Sequence, residues 1–171
     1  MKILENLHER LELIDGNPVY GGEETVRQVA ECSPIPLPED YIEFLREISG
    51  DTSEENVGVE IRLIVPDDED STLSMAFYSA QDALEKYKEY KELSAPLYDK
   101  IIDKIWIIGD DIGDLVYFYG NGKDGFGLYV DEIGALTSHS LDASAGAEKI
   151  ADTITDLLVK GIGIDTALWI D

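Results

Sequence analysis

Asp110, Asp111 and Asp114 place three carboxylates within five residues. Carboxylate oxygens are the hard ligands that Mg²⁺ or Ca²⁺ takes. Adjacent acids on a tight turn point apart, however, and no histidine or distant carboxylate is marked out to complete a shell. A second acidic run, Asp67-Asp68-Glu69-Asp70, has the composition of a solvated turn. Gly120-x-Gly122-x-x-Gly125 matches the dinucleotide fingerprint in letters. That chemistry needs a helix N-terminus after the glycines to hold pyrophosphate, and Phe126-Gly127-Leu128-Tyr129-Val130 reads instead as a strand. A calcium loop over Asn121–Glu132 fails too, because Phe126 stands where the sharp turn requires glycine. For nucleophilic catalysis the chain offers His8, His139, Cys32 and Ser144. His139 lies in a polar Ser-His-Ser segment, and Ser144 lacks the first glycine of a nucleophile elbow. Cys32 has no base nearby and reads as a small buried hydrophobe. These residues predict no enzyme, no metal and no cofactor.

Thirteen Lys and Arg against thirty-seven Asp and Glu give a net charge of −24 over 171 residues. Such a surface repels phosphate backbones and anionic lipid, which argues against direct nucleic-acid or membrane binding. It attracts a basic partner and speeds their encounter; equally, it keeps a protein soluble. No apolar run is long enough to span a bilayer, and Met1–Arg10 is charged and helical in character rather than a leader peptide. A single cysteine makes no internal disulfide, so a reducing cytoplasm is the expected setting. At this length one domain over residues 1–171 is expected, as a monomer or weak homodimer.

The elements that must position these residues follow from periodicity. Leu4, Leu7, Leu11 and Ile14 predict a first helix over Lys2–Ile14, and Glu23–Glu31 a short second one. Pro38 suits the first helical position, with Glu39 and Asp40 in the first turn where the dipole favours acids. Tyr41, Phe44, Leu45 and Ile48 then form one apolar stripe, and Gly50 closes the helix. Strands are predicted over Val57–Val65 and Leu73–Tyr78, and a helix over Ala80–Leu93 opened by Ser79 or Gln81. Ile105–Ile108, Leu115–Tyr119 and Phe126–Val130 are strands, joined by a turn over Gly109–Asp114 and a hairpin loop over Gly120–Gly125. Ala135–His139 reads as an edge strand, and Ser144–Lys160 as a closing helix. Helices thus flank a run of antiparallel hairpins, which is α+β.

Leu37-Pro38-Glu39-Asp40-Tyr41 followed by Ile108-Gly109-Asp110-Asp111-Ile112-Gly113-Asp114 between two strands resembles the SUKH superfamily. That group holds the fungal Smi/Knr cell-wall regulators and many bacterial immunity proteins. The resemblance covers roughly Glu23 to Gly161; Ser49-Gly50 stands where Asn-Gly is expected, and the tail Ile162–Asp171 lies beyond it. It implies N-terminal helices packed on a mainly antiparallel twisted sheet with a C-terminal helix. It also implies a non-catalytic binding protein, of the type that sequesters a toxin domain, many of them nucleases. A regulatory scaffold module of the Smi/Knr type is the alternative. For a basic toxin partner, the expected contacts are Asp67, Asp68, Glu69 and Asp70, then Asp110, Asp111 and Asp114. Aromatics of the hairpin that face solvent complete the surface, with Tyr117, Tyr119 and Tyr129 as candidates.

Overall fold

Strands that follow one another along this chain are also neighbours in space. The computed structural model describes residues 1–15, 18–50, 58–66, 73–97, 100–111, 114–137 and 146–168. Among these residues seven strands form one antiparallel sheet in sequence order: β1 (Leu11–Asp15), β2 (Val59–Leu63), β3 (Ser74–Phe77), β4 (Ile105–Asp110), β5 (Leu115–Gly122), β6 (Gly125–Glu132) and β7 (Glu148–Ala151). Helices α1 (Glu23–Cys32) and α2 (Glu39–Ile48) are inserted between β1 and β2, and α3 (Ala80–Leu93) between β3 and β4. Two short helices, α4 (Ile154–Leu158) and α5 (Ile164–Ala167), follow β7. This is the expected α+β arrangement.

The stripe on α2 docks as its spacing predicts: Tyr41, Phe44, Leu45 and Ile48 are all buried. Tyr41 packs 5.5 Å from Tyr119 on β5, and Phe44 meets Phe77 on β3 edge-on at 5.6 Å. From α3, Tyr87 lies 5.2 Å from Trp106 on β4. Trp106 pairs with Tyr119 across the β4–β5 ladder, so these rings share one face of the sheet. The other face is covered as well. Phe118 and Tyr129, paired on β5 and β6, stack at 6.0 Å and are fully buried. The central strands are therefore near-continuous apolar runs rather than alternating ones.

Several local expectations are corrected. Lys2–Ile14 is not a helix but a single 3₁₀ turn, Leu4–Asn6, followed by β1. Tertiary partners decide it. Glu47 on α2 accepts hydrogen bonds from the backbone N–H groups of Ile3 and Leu4, and β1 pairs with β2 some fifty residues away. Of the expected closing helix, Glu148–Ala151 is strand β7, paired to β6, and among its described residues only Ile154–Leu158 is helical. Its apolar set, Ala147, Ile150, Ala151, Ile154, Leu157 and Leu158, is buried all the same. Ile133–Thr137 is a 3₁₀ helix where an edge strand was expected. Pro38 is the residue before α2 rather than its first. The hairpin loop is shorter than expected: Gly122 pairs with Gly125, leaving Lys123-Asp124 as the turn, with Gly125 at φ +83°.

Gly109 is required by close approach. It pairs with Phe77 at the β3–β4 ladder, and a Cβ there would stand 2.1 Å from the carbonyl oxygen of Ala76. Only glycine lets the two backbones meet at that spacing.

Candidate partner-binding surface

The two motifs first do structural work. A helix leaves its first N–H groups without intrahelical partners, and α4 has three of these satisfied by three different side chains. Ile154 N–H donates to the Tyr119 hydroxyl at 2.9 Å, Thr155 N–H to Asp40 Oδ2 at 3.0 Å, and Asp156 N–H to Thr153 Oγ1 at 3.2 Å. Next to Asp40, the Tyr41 hydroxyl accepts from the Trp106 indole N–H at 3.3 Å. The Asp-Tyr pair of the first motif thus ties α2 to the start of α4 and to the centre of the sheet. Burial, then the nearby Asp40 carboxylate, pushes the Tyr119 hydroxyl well above its ordinary pKa.

The second motif builds one end of the sheet. Asp110, at the end of β4, accepts a hydrogen bond from the Tyr78 hydroxyl, whose pKa is pushed far up by burial and then by that carboxylate. Asp111 closes the connection to β5: its Oδ1 accepts from Leu115 N–H at 2.9 Å. Its own N–H donates to the Leu115 carbonyl at 3.3 Å. Asp114 is exposed, and its carbonyl accepts from Ile133 N–H at 2.6 Å. Of the three candidate carboxylates, Asp110 and Asp111 are partly spent on the fold and Asp114 faces solvent. Among the described residues no three His, Cys, Asp or Glu side chains converge to hold a metal ion.

Asp67, Asp68, Glu69 and Asp70 lie outside the described residues. The chain on either side of them is placed: Pro66 follows β2, Leu73 precedes β3, and Leu63 N–H donates to the Leu73 carbonyl at 3.0 Å. Because Ala76 pairs with Asp110 and the ladder is antiparallel, the start of β3 and the end of β4 point to the same end of the sheet. The β2–β3 connection and the Asp110–Asp114 connection therefore leave from one rim. Glu132, at the end of β6 opposite Leu115, adds an exposed carboxylate there. Ile64, just past β2, is 41% exposed on this rim, with half-buried Val65 and Leu73 in the same β2–β3 connection and half-buried Leu115 and Ile133 further along the rim at β5 and β6. Strand spacing puts β2 about 14 Å from β5, well within one standard partner footprint of about 800 Å².

The aromatic part of the expected surface is corrected. Tyr117, Tyr119 and Tyr129 are fully buried and cannot meet a partner from where they stand. Tyr117 donates its hydroxyl to the Ala167 carbonyl, Tyr119 accepts from α4, and Tyr129 donates to the Gly125 carbonyl at 2.7 Å. Phe126 is the hairpin aromatic that reaches solvent, 38% exposed and stacked 6.1 Å from Tyr119. It sits at the Lys123-Asp124 tip, roughly 25 Å along β5 from the acidic rim at strand rise. Sequence reasoning missed Ile64 and Glu132 on the rim; an apolar residue just past a strand and an acid closing one were the available signals. Cys32 is exposed at the end of α1, not buried. His8 accepts from Arg10 N–H through Nδ1 at 3.3 Å, and His139 and Ser144 lie outside the described residues. No helix among the described residues is long and apolar enough to cross a membrane.

The family model described as the SMI1/KNR4 family (SUKH-1) matches residues 22–160, which takes in both motifs and every element from α1 to α4. No curated protein matches the chain. The chain belongs to the SMI1/KNR4 family.

Proposed function

We propose that this member of the SMI1/KNR4 family is a non-catalytic immunity protein that neutralises a cognate toxin domain by occluding it. Its partner is basic, and its contact surface is the acidic rim where the β2–β3 and β4–β5 connections leave the sheet. Asp114 and Glu132 offer the exposed carboxylates and Asp110 and Asp111 deepen the negative field; in the sequence, Asp67, Asp68, Glu69 and Asp70 lie between β2 and β3, whose flanking ends stand on this rim. Ile64 and its half-buried neighbours supply the apolar contact that holds a complex once formed. The observation that carries this is the convergence of two sequence-distant acidic connections on one end of the sheet, on a chain of net charge −24. A row of carboxylates also stands in for the phosphates of a nucleic acid, which suits a nuclease as the toxin. The setting we infer is the cytoplasm.

The test is stoichiometric protection. A secreted protein encoded beside this gene, with a basic C-terminal domain, supplies the candidate toxin. Its purified domain should lose activity at one equivalent of this protein. Asp114→Asn with Glu132→Gln should weaken that protection. Full toxin activity at a large excess of the protein, with no complex on gel filtration, would remove the immunity reading.

A further inference from the structure

Beside α2, away from the acidic rim, a cleft is lined by Lys2, Leu4, Glu5, Pro18 and Tyr20, with Glu47 as a further wall. Glu47 is only 7% exposed. Its carboxylate accepts from Ile3 N–H at 2.5 Å and Leu4 N–H at 3.0 Å, both neutral donors. Among the described residues no Lys, Arg or His makes a salt bridge with it, and the Lys2 ammonium acts on it only from beyond salt-bridge distance. Two amide N–H groups and the more distant Lys2 charge are thus what this buried carboxylate has in place of a direct ion pair. Each of its oxygens retains a lone pair. Among the described residues the cation lining the cleft is Lys2, which pairs with Glu5 at its exposed side, with Nζ 2.9 Å from Oε1 and both side chains more than half exposed. Tyr20, 59% exposed, also lines the cleft. A buried carboxylate, an exposed aromatic ring and apolar walls are the recognition chemistry of a cationic side chain.

We propose that this cleft is an anchor pocket for a lysine or arginine side chain of a basic protein partner, with Glu47 as the ion-pairing group and Tyr20 as the aromatic wall. It rests on the proposed function only in taking the partner to be basic. The occupant threads past Lys2, so Lys2 is a competitor rather than a ligand.

The experiment is an amide-resonance titration of the whole chain with n-butylammonium chloride and with n-propylguanidinium chloride, against sodium chloride at equal ionic strength. Saturable shifts at Ile3, Leu4 and Tyr20 with either organic cation, absent with sodium, are expected. Glu47→Gln should weaken binding by about tenfold or more, as loss of a charge-assisted hydrogen bond does. Lys2→Ala should tighten it by about two- to fivefold, the size of a surface ion-pair effect. Should Glu47→Gln not fold, Lys2→Ala and Tyr20→Ala decide: tighter and weaker binding respectively support the pocket. Shifts no larger than those with sodium chloride, or affinity unchanged in these variants, would overturn it. The titration contains no toxin, so its failure leaves the acidic-rim reading standing, and failure of toxin protection leaves the pocket standing.

Discussion

Asp40 and Tyr119 reach the same helix end from different elements, one from α2 and one from β5, and each takes one N–H of α4. Losing a capping carboxylate costs about 0.5–2 kcal/mol, so Asp40→Ala should lower the urea midpoint by that much stability. Tyr119→Phe leaves the Ile154 N–H buried without an acceptor, at about 1–3 kcal/mol. Because both act on one helix terminus, the double variant should depart from additivity; strict additivity would mean that the two caps are independent. The buried tyrosines make a second prediction. Tyr41, Tyr78, Tyr117 and Tyr119 have hydroxyls raised above the ordinary value, chiefly by burial, and Tyr90 is pushed up to about 12. The folded state then keeps protons that the unfolded chain releases near pH 10. Stability from these groups is fully present below pH 10 and is lost as pH rises above it. Alkaline titration followed by tyrosinate absorbance should show these rings ionising together with loss of circular dichroism, not before it. Asp40 was legible only as a first-turn acid, because a capping partner 115 residues away leaves no local trace.

At the scale of elements, what local spacing controls was readable and what distant pairing controls was not. The α2 stripe, the bounds of α3 with its Ser79 cap and the β4–β5–β6 meander follow from periodicity and turn residues. Lys2–Ile14 has helical spacing, yet Leu11 and Leu13 also alternate, and the pairing with β2 selects the strand. In the same way Glu148–Ala151 has helix-forming residues, but the free edge of β6 takes it as β7, and the helix starts at Ile154 behind its Thr153 cap rather than at the expected Ser144. The tyrosine-rich hairpin shows the limit of alternation most clearly. Both faces of β5 are covered, so no register could have exposed Tyr117, Tyr119 or Tyr129. The anchoring of α2 has a direct check. Phe44→Ala should cost about 3–5 kcal/mol, as truncation of a buried Phe does. Glu43→Ala, which removes a surface pair with Arg46, should cost less than about 1 kcal/mol. Similar urea midpoints for the two would mean that the stripe does not hold the helix.

For the whole molecule, the excess of acid is a field rather than a set of contacts. A net charge of −24 raises the encounter rate with a basic partner over long range, while the acidic rim decides where the partner lands. Steered association reaches about 10⁸–10⁹ M⁻¹s⁻¹ at low salt, against about 10⁵–10⁶ for an uncharged pair. Ile64, uncharged and part-exposed, belongs to the other half of the energetics: once water is expelled, truncating such a residue changes the lifetime of a complex more than its formation. The measurement that tests the central claim most directly is stopped-flow association of the purified basic toxin domain with this protein across a salt series. It is repeated with Asp114→Asn/Glu132→Gln and with Ile64→Ala. Capture at the acidic rim predicts an association rate that falls steeply as salt shortens the Debye length to a few ångströms, falls further with the charge-neutralised variant, and is nearly unchanged by Ile64→Ala, which instead speeds dissociation. An association rate indifferent to salt and to both neutralised carboxylates would contradict it, and would leave the acidity as a solubility device with the contact face elsewhere.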